Sequence, residues 1–471
     1  MRMRRSIIVV TLLLLSPSLQ AESYEEFVAK MHKDYTEFVT QMDKDFAKAL
    51  GREWKEFETT VTPSFPEPKP KNLPTAPKAP KNGEDDTPKI VINIYNTPPQ
   101  QRPQLPRRPT VPMGYNELSF NFFSQPIHLV YNQKLAYTIN QFNNQAVSKY
   151  WLHQSNMELS NFLHQIKSYQ STLNLNDWHL YLLVHNIAKK IVHDRENIKL
   201  LSWFLLNKLG YDVKLGFEQG GLYLMPSINQ KIYNVAYANI GHKNYYAFGH
   251  KGEFYTYSNT FGNNRPLNLA DTKTPYLKPA IVNRTLSFEV DGRAYHLSIP
   301  YNKNLMGLYS LYPSLDWEYY FRQPIDPLTK SKLFGELKGI MQGMTELQAV
   351  TFLLKMTQFG FQYVTDPEQF GRERSLFFEE SLNYPYNDCE DRSIFFGKLV
   401  KELLGLNVVA LHYPNHLATA VEFKSNVKGE SIEYQNRRYI VCDPTYIGAS
   451  VGQAMPDFRG SRDVEIIPIN Y

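Results

Sequence analysis

Apolar residues recur at threes and fours near the beginning of the chain, at Tyr24, Phe27, Met31, Tyr35, Phe38, Met42 and Phe46. This spacing lays them on one stripe of a helix over 22–58. Tyr24–Asp34 is echoed by Tyr35–Asp45, and an eleven-residue period keeps the stripe nearly straight. Gly51 weakens a third repeat. Lys and Asp/Glu flank the stripe in balance, so the helix is expected to pack on its own protein or on a copy of itself. Docking on a protein partner or a membrane surface is the alternative.

Upstream, residues 1–21 carry Arg2, Arg4 and Arg5, a short apolar run from Ile7 to Leu15, and Ala21 before a polar sequence. That is the pattern of a secretory signal peptide cleaved after Ala21. The run is far shorter than the ~20 residues a membrane span needs, and no later segment reaches that length. A mature protein outside the cytoplasm, periplasmic or secreted, is expected, with no membrane span.

Downstream of the helix, fourteen prolines fall between Pro63 and Pro112. Such a stretch cannot bury a core and favours a semi-rigid extended spacer over 61–112. It is interrupted by one strand-like run, Lys89–Tyr95. The spacer is expected to tether the helix at a distance, so that deleting 22–112 would leave the remainder folded.

Residues 113–325 read as an α+β domain. Strands are expected at Leu118–Phe123 and Ile127–Tyr131, helices through 140–209 with starts at Asn156, Asn176 and Asp194, and short strands beyond the helix stop at Gly210. Thr285–Val290 and Ala294–Pro300 alternate around Asp291-Gly292, a hairpin signal. Its histidines (153, 164, 179, 185 and 193) form no metal-site or triad pattern. The last domain, 326–471, reads as one helix over Glu336–Thr357, a polar stretch, a helix from about 389 to 404, and strands at Asn407–Leu411, Ala418–Lys424, Ser431–Tyr434 and Arg438–Val441.

Composition narrows the function. The 471 residues are 42% hydrophobic and 14% aromatic, enough for two or three domains and incompatible with a disordered chain. Net charge is +5, and removing the three N-terminal arginines leaves +2, too little for a dedicated nucleic-acid binder. No Gly-rich phosphate loop occurs. The two cysteines, Cys389 and Cys442, cannot build a disulfide scaffold and are read singly.

The chemistry concentrates near the C-terminus. Tyr384-Pro-Tyr-Asn-Asp-Cys-Glu-Asp-Arg-Ser393 precedes a helical apolar pattern, with Asp388 a natural N-cap and Cys389 at the first helical position. Unpaired backbone N–H groups there favour a thiolate, the nucleophilic form. His416 enters an alternating strand and Asp443 leaves a later one, completing a nucleophile–base–orienter set in chain order. Glu390 and Asp391 would raise the thiol pKa if they faced it, so they are expected to point away, toward Arg392 or the helix amides. Cys442, next to Asp443 on a strand, is expected to face the layer behind the site and stay a free thiol. His412 and His416, four apart on strand and turn, are not expected to meet at a metal. No metal or other cofactor is expected.

These residues resemble the transglutaminase-like superfamily, the papain-related acyl-transfer fold, and look most like secreted bacterial members with an Asp-Cys-Glu-Asp-Arg-Ser core. The resemblance spans about 330–455. It implies Cys389 as nucleophile, His416 as base and Asp443 as orienter, in a domain where the Cys-bearing helix packs on an antiparallel sheet. The chain departs from the pattern in lacking a Trp just after the Cys or the His, which leaves the second oxyanion donor to Tyr386 or Asn387 beside the Cys389 N–H. The expected function is a cysteine acyl-transfer enzyme on protein or peptide amides, a protease or amidase with water as acceptor, or a crosslinking enzyme with a lysine amine. The alternative is a non-catalytic envelope adaptor built on an inert domain. A faint echo at an offset of 195 aligns Gly210 with Gly405 and Leu222 with Leu417, setting Asp194 against Cys389 and Gly221 against His416. A first copy of this kind would lack both nucleophile and base.

Overall fold

The computed structural model describes residues 24–64, 74–77, 85–90, 103–218, 221–250, 252–270, 273–461 and 463–469. The expected signal peptide and residues 91–95 lie outside the described residues. The chain is mixed α+β, and its paired strands are all antiparallel.

α1 (Tyr24–Leu50) carries Glu25 and Glu26 in its first turn, where the helix dipole favours them. Its last two turns dock on the body. The Phe46 ring lies 4.7 Å from Trp151 and 5.3 Å from Phe261, centroid to centroid. Asp43 is buried, accepts from Trp151 Nε1 at 3.0 Å and Ser155 Oγ at 3.1 Å, and pairs with the Lys208 ammonium. The expected helix stops at Leu50. Beyond Gly51 the chain extends into β1 (Lys55–Glu58) and β2 (Thr60–Val61), which pair with Glu253–Thr256 and Ala236–Ile240.

The expected free spacer is pinned at two places. Ala76 donates to Ile447 O at 2.8 Å, and Ile447 donates to Pro74 O at 3.0 Å. Farther on, Pro88 O accepts from Glu346 N at 2.8 Å and Thr87 Oγ1 from Leu347 N at 3.0 Å, so this segment satisfies first-turn amides of a helix in the C-terminal half. The described parts of 22–112 are thus held against the body. They supply Phe46, Leu50 and Trp54 to the main core.

The middle of the chain builds a hairpin, β3 (Tyr115–Phe122) and β4 (Gln125–Asn132), then α2 (Asn144–Ser155), α3 (Ser160–Thr172), α4 (Asp177–Ile191) and α5 (Arg195–Lys208). Asn176 and Asp194 cap α4 and α5 as expected, whereas Asn156 closes α2 instead of starting a helix. β5 (Val213–Glu218), β6 (Gly221–Pro226), β7 (Ala236–Ile240), β8 (Lys243–Ala247) and β9 (Glu253–Thr256) form two small sheets, ordered β1-β9-β5-β6 and β2-β7-β8. The expected hairpin is β10 (Ile281–Val290) and β11 (Arg293–Asn302), turned by Asp291 and Gly292, both at positive φ.

The C-terminal half follows with α6 (Lys303–Tyr309), α7 (Trp317–Arg322), α8 (Pro327–Met341), α9 (Glu346–Gly360), α10 (Asp366–Phe370), α11 (Phe378–Asn383) and α12 (Cys389–Leu399). The single helix expected over Glu336–Thr357 is two helices. Gly343 (φ 82°) ends the first path, and Thr345 with Gln348 makes a capping box that starts α9. β12 (Val408–Tyr413), β13 (His416–Val421), β14 (Ser431–Tyr434), β15 (Arg437–Cys442) and β16 (Glu465–Pro468) form one sheet, ordered β14-β15-β13-β12-β16, with α12 against β13.

The offset of 195 is real in the backbone. β5 and β6 pair Val213 with Pro226; adding the offset to all four strand ends and to this register gives β12 and β13, which pair Val408 with Val421. The next hairpin follows as well. At the same offset β7 and β8 fall on β14 and β15 to within a residue, and β8 bridges the end of β6 at Ser227–Tyr245, as β15 pairs with β13. What differs is the residue that leaves this strand, Phe248 in the earlier unit where Asp443 stands in the later one.

Candidate active site

α12 starts at Cys389, and every residue of this helix is buried. β13 starts at His416, straight after Asn415 at φ 62° turns the chain out of β12. Helix and strand are tied by Ser393 Oγ, which donates to Leu417 O at 2.9 Å, and the Leu417 N–H is directed at the Cys389 thiol. At the equivalent place in the earlier unit, Glu196 accepts from Leu222 N at 2.5 Å and Lys199 donates to Leu222 O at 2.5 Å. An ion pair there engages both backbone groups of Leu222, while the place of Cys389 is taken by Asp194, which caps α5.

β15 ends at Cys442 and releases Asp443 toward the start of β13, because Thr419 pairs with Cys442. Asp443 Oδ2 lies 2.8 Å from His416 Nε2, and its Oδ1 accepts from Thr445 N at 2.9 Å and Tyr446 N at 3.1 Å. Gln358 of α9 holds the turn by donating to Asp443 O, Tyr446 O and Ala449 O at 2.9–3.1 Å. The carboxylate places the imidazole proton on Nε2 when the ring is neutral, leaving the Nδ1 lone pair available. Nδ1 is buried without a hydrogen-bond partner. Phe458 stacks on the ring at 5.2 Å with 8° between planes. The structure thus brings Asp443 to His416 and sets the residue after His416 against Cys389.

Asp388 and Glu390 differ from expectation. Asp388 sits at the cap position but makes no side-chain cap bond. Glu390 faces the thiol, its Oε2 accepting from Cys389 Sγ at 3.4 Å. Asp391 does use an amide, accepting from Leu376 N at 2.8 Å, while Arg392 reaches Phe361 O at 2.8 Å and Gln358 O at 3.5 Å rather than these acids. Burial pushes the Cys389 thiol up, and the charges of Glu390 and Asp388 push the same way against the Leu417 N–H. Burial and like charge here outweigh the pull of the helix terminus toward a thiolate.

The same acids gather with two that sequence spacing does not connect. Asp366, Glu373, Asp388 and Glu390 place one carboxylate oxygen each within 4.8 Å of one another. Asp366, Asp388 and Glu390 are buried, and each of these three has an oxygen without a hydrogen-bond partner. Desolvation and mutual repulsion drive the Asp366, Asp388 and Glu390 pKa values upward. An all-oxygen, mostly buried set suits a hard divalent cation, which when bound would neutralise the charges facing the thiol. No metal is expected from the sequence. The only local trace is acid on both sides of Cys389, since Asp366 and Glu373 arrive by tertiary folding. His412 is engaged elsewhere, its Nδ1 3.1 Å from Glu465 Oε2.

Of the two residues expected near an oxyanion, Asn387 is buried with both side-chain amide atoms unpartnered, although its backbone N–H is spent on Gln362 O at 3.0 Å. Tyr386 is half-buried, and its carbonyl accepts from Gln369 Nε2 at 3.2 Å. Cys442 corrects the strand-face expectation. It belongs to the main core with Ile440, while Val441 belongs to the cluster on the other side of the sheet. Neither cysteine forms a disulfide, and both are buried.

Cys389 and His416 are 0% and 1% exposed. A groove of about 640 Å³, lined by Trp178, Tyr233, Phe248 and Tyr312, reaches the acidic cluster at Glu373. Among the described residues no helix is long and apolar enough to cross a membrane. Comparison with family models, with curated proteins and with solved structures finds no match for this chain.

Proposed function

We propose that the chain is an exported cysteine acyl-transfer enzyme acting on protein or peptide amides. The observation that carries this reading is the buried His416–Asp443 pair, which leaves His416 Nδ1 without a partner beside the strand residue whose N–H meets the Cys389 thiol. His416 Nδ1 takes the thiol proton as sulfur attacks the carbonyl carbon. The carbonyl electron pair moves onto oxygen, where the Cys389 N–H and the unpartnered Asn387 amide are the available donors. The pair returns as the C–N bond breaks, and the imidazolium gives its proton to the departing amine. Water then releases the acyl group as an acid, or a lysine amine takes it as an isopeptide. Asp443 holds the ring through Nε2.

Cleavage of fluorescently labelled casein, and incorporation of a dansylated amine into it, test the two acceptors separately. Both activities should disappear in Cys389→Ala with the fold intact; activity that survives this substitution overturns the assignment. The second reading, a binding adaptor with an inert domain, is favoured by one observation, the complete enclosure of thiol and imidazole. It gains ground if neither activity is detected over a broad panel of proteins with and without added calcium.

A further inference from the structure

The stripe of α1 is left largely uncovered. Tyr24, Phe27, Met31, Tyr35 and Phe38 are between 52% and 82% exposed, and Met42 is the first stripe residue packed against the body. A continuous apolar row of this kind marks an interaction face.

Its spacing selects the occupant. Counting outward from Met31, apolar residues stand four and seven positions away in both directions. The row is therefore symmetric about Met31 and complementary to a second copy running antiparallel, with Tyr24 opposite Phe38, Phe27 opposite Tyr35, and Met31 on the two-fold axis. A self-matching patch of this kind is what an isologous contact requires. Val28 and Val39 flank the row on one side by the 100° step of the helix.

The bodies allow this register. The partner's Met42 falls level with a position four residues before Tyr24, so the two bodies lie beyond opposite ends of the paired helices. Charge argues against a lipid surface. Between Tyr24 and Gln41 the helix carries Glu25, Glu26, Asp34 and Glu37 against Lys30 and Lys33. Four acids against two bases is the wrong balance for anionic headgroups, which select basic polar faces.

We propose that α1 joins two copies of this chain in an antiparallel pair centred on Met31. Four aromatic side chains and one Met per helix cover roughly 500 Å² a side, about 1,000 Å² in all, at the lower end for a specific interface. The pair is accordingly weak and concentration-dependent.

Sedimentation velocity of the chain from residue 22 onward, between about 1 and 100 µM, should show the mass rising from one copy to two. Phe27→Glu with Tyr35→Glu should hold it at one copy while leaving the thermal transition unchanged, since neither side chain enters the core. Disulfide trapping reads the register against a background of two buried native thiols. Met31→Cys should crosslink to itself, and Tyr24→Cys should crosslink to Phe38→Cys but not to itself. A single-copy mass at every concentration, a dimer that survives the double Glu variant, or self-crosslinking of Tyr24→Cys would each overturn the antiparallel pair. So would flotation of the chain with phosphatidylglycerol vesicles in preference to self-association.

Discussion

His416 Nε2 and Asp443 Oδ2 lie 2.8 Å apart in a site where both side chains are almost wholly enclosed, and the other Asp443 oxygen takes two backbone N–H donors. Three donors fix the carboxylate, and the carboxylate fixes the ring. Asp443→Asn keeps the shape but can hold the wrong tautomer, presenting N–H rather than a lone pair at Nδ1. Turnover should fall about 10³–10⁴-fold with little loss of stability. Steady-state rates and thermal unfolding on the same preparation check this; a fall under about tenfold would remove Asp443 from the catalytic set.

The docking of α1 reverses the expectation that 22–112 is dispensable. Phe46 packs among Trp151, Trp203, Tyr257 and Phe261, so Phe46→Ala should cost about 3–5 kcal/mol. Truncation to residue 113 should yield little soluble protein. Urea unfolding of the point variant measures the first effect.

Acid should destabilise the fold through His179, which is fully buried on α4 with Tyr312 Oη 2.6 Å from its Nε2. Burial pushes its pKa down to about 3, whereas the unfolded imidazole takes a proton near pH 6.5. Between those values the unfolded chain binds one proton more, so this stability is fully present above pH 6.5 and drains as pH falls toward 3, by about 1.4 kcal/mol per pH unit. Unfolding free energies at pH 7 and pH 5 should differ accordingly. His179→Gln should flatten the dependence by about one proton even though it lowers stability overall.

The four clustered carboxylates give a metal-dependent expectation. Calcium at about 100 times its dissociation constant should stabilise the chain by about 2.7 kcal/mol, and chelation should reverse the gain. Asp366→Asn with Glu373→Gln should abolish the calcium response without removing Cys389 or its helix. An unchanged thermal transition across millimolar calcium in the native chain would exclude the site.

Local pattern made the helix start at Cys389, the alternating strand at His416 and the strand end at Asp443 readable, because each depends on a short run of residues. The hairpin at Asp291-Gly292 and the caps at Asn176 and Asp194 were readable for the same reason. What failed depends on distant contacts. Asp366 and Glu373 meet Asp388 and Glu390 only through the packing of the loops around α10 and α12. The Pro-rich segment looked free because its anchors, Ile447 and Glu346, lie hundreds of residues away. The break at Gly343 was masked by an apolar period that runs through it. The face assigned to Cys442 was wrong because Asp443 lies just past the strand, where alternation no longer fixes direction.

Site-resolved alkylation tests whether Cys389 acts with His416. The native chain is exposed to iodoacetamide near neutral pH, and modification of Cys389 and Cys442 is followed by mass spectrometry. Burial and the charges of Glu390 and Asp388 hold the Cys389 pKa up while the site is closed, so any difference in rate rests on His416. When the site opens, transfer of the thiol proton to the ring should make Cys389 react about tenfold faster than Cys442. His416→Ala should erase the difference while Cys442 keeps its rate. Equal, slow labelling of both thiols, unaffected by His416→Ala, would show that each is reached only by unfolding and would contradict the nucleophile–base pair.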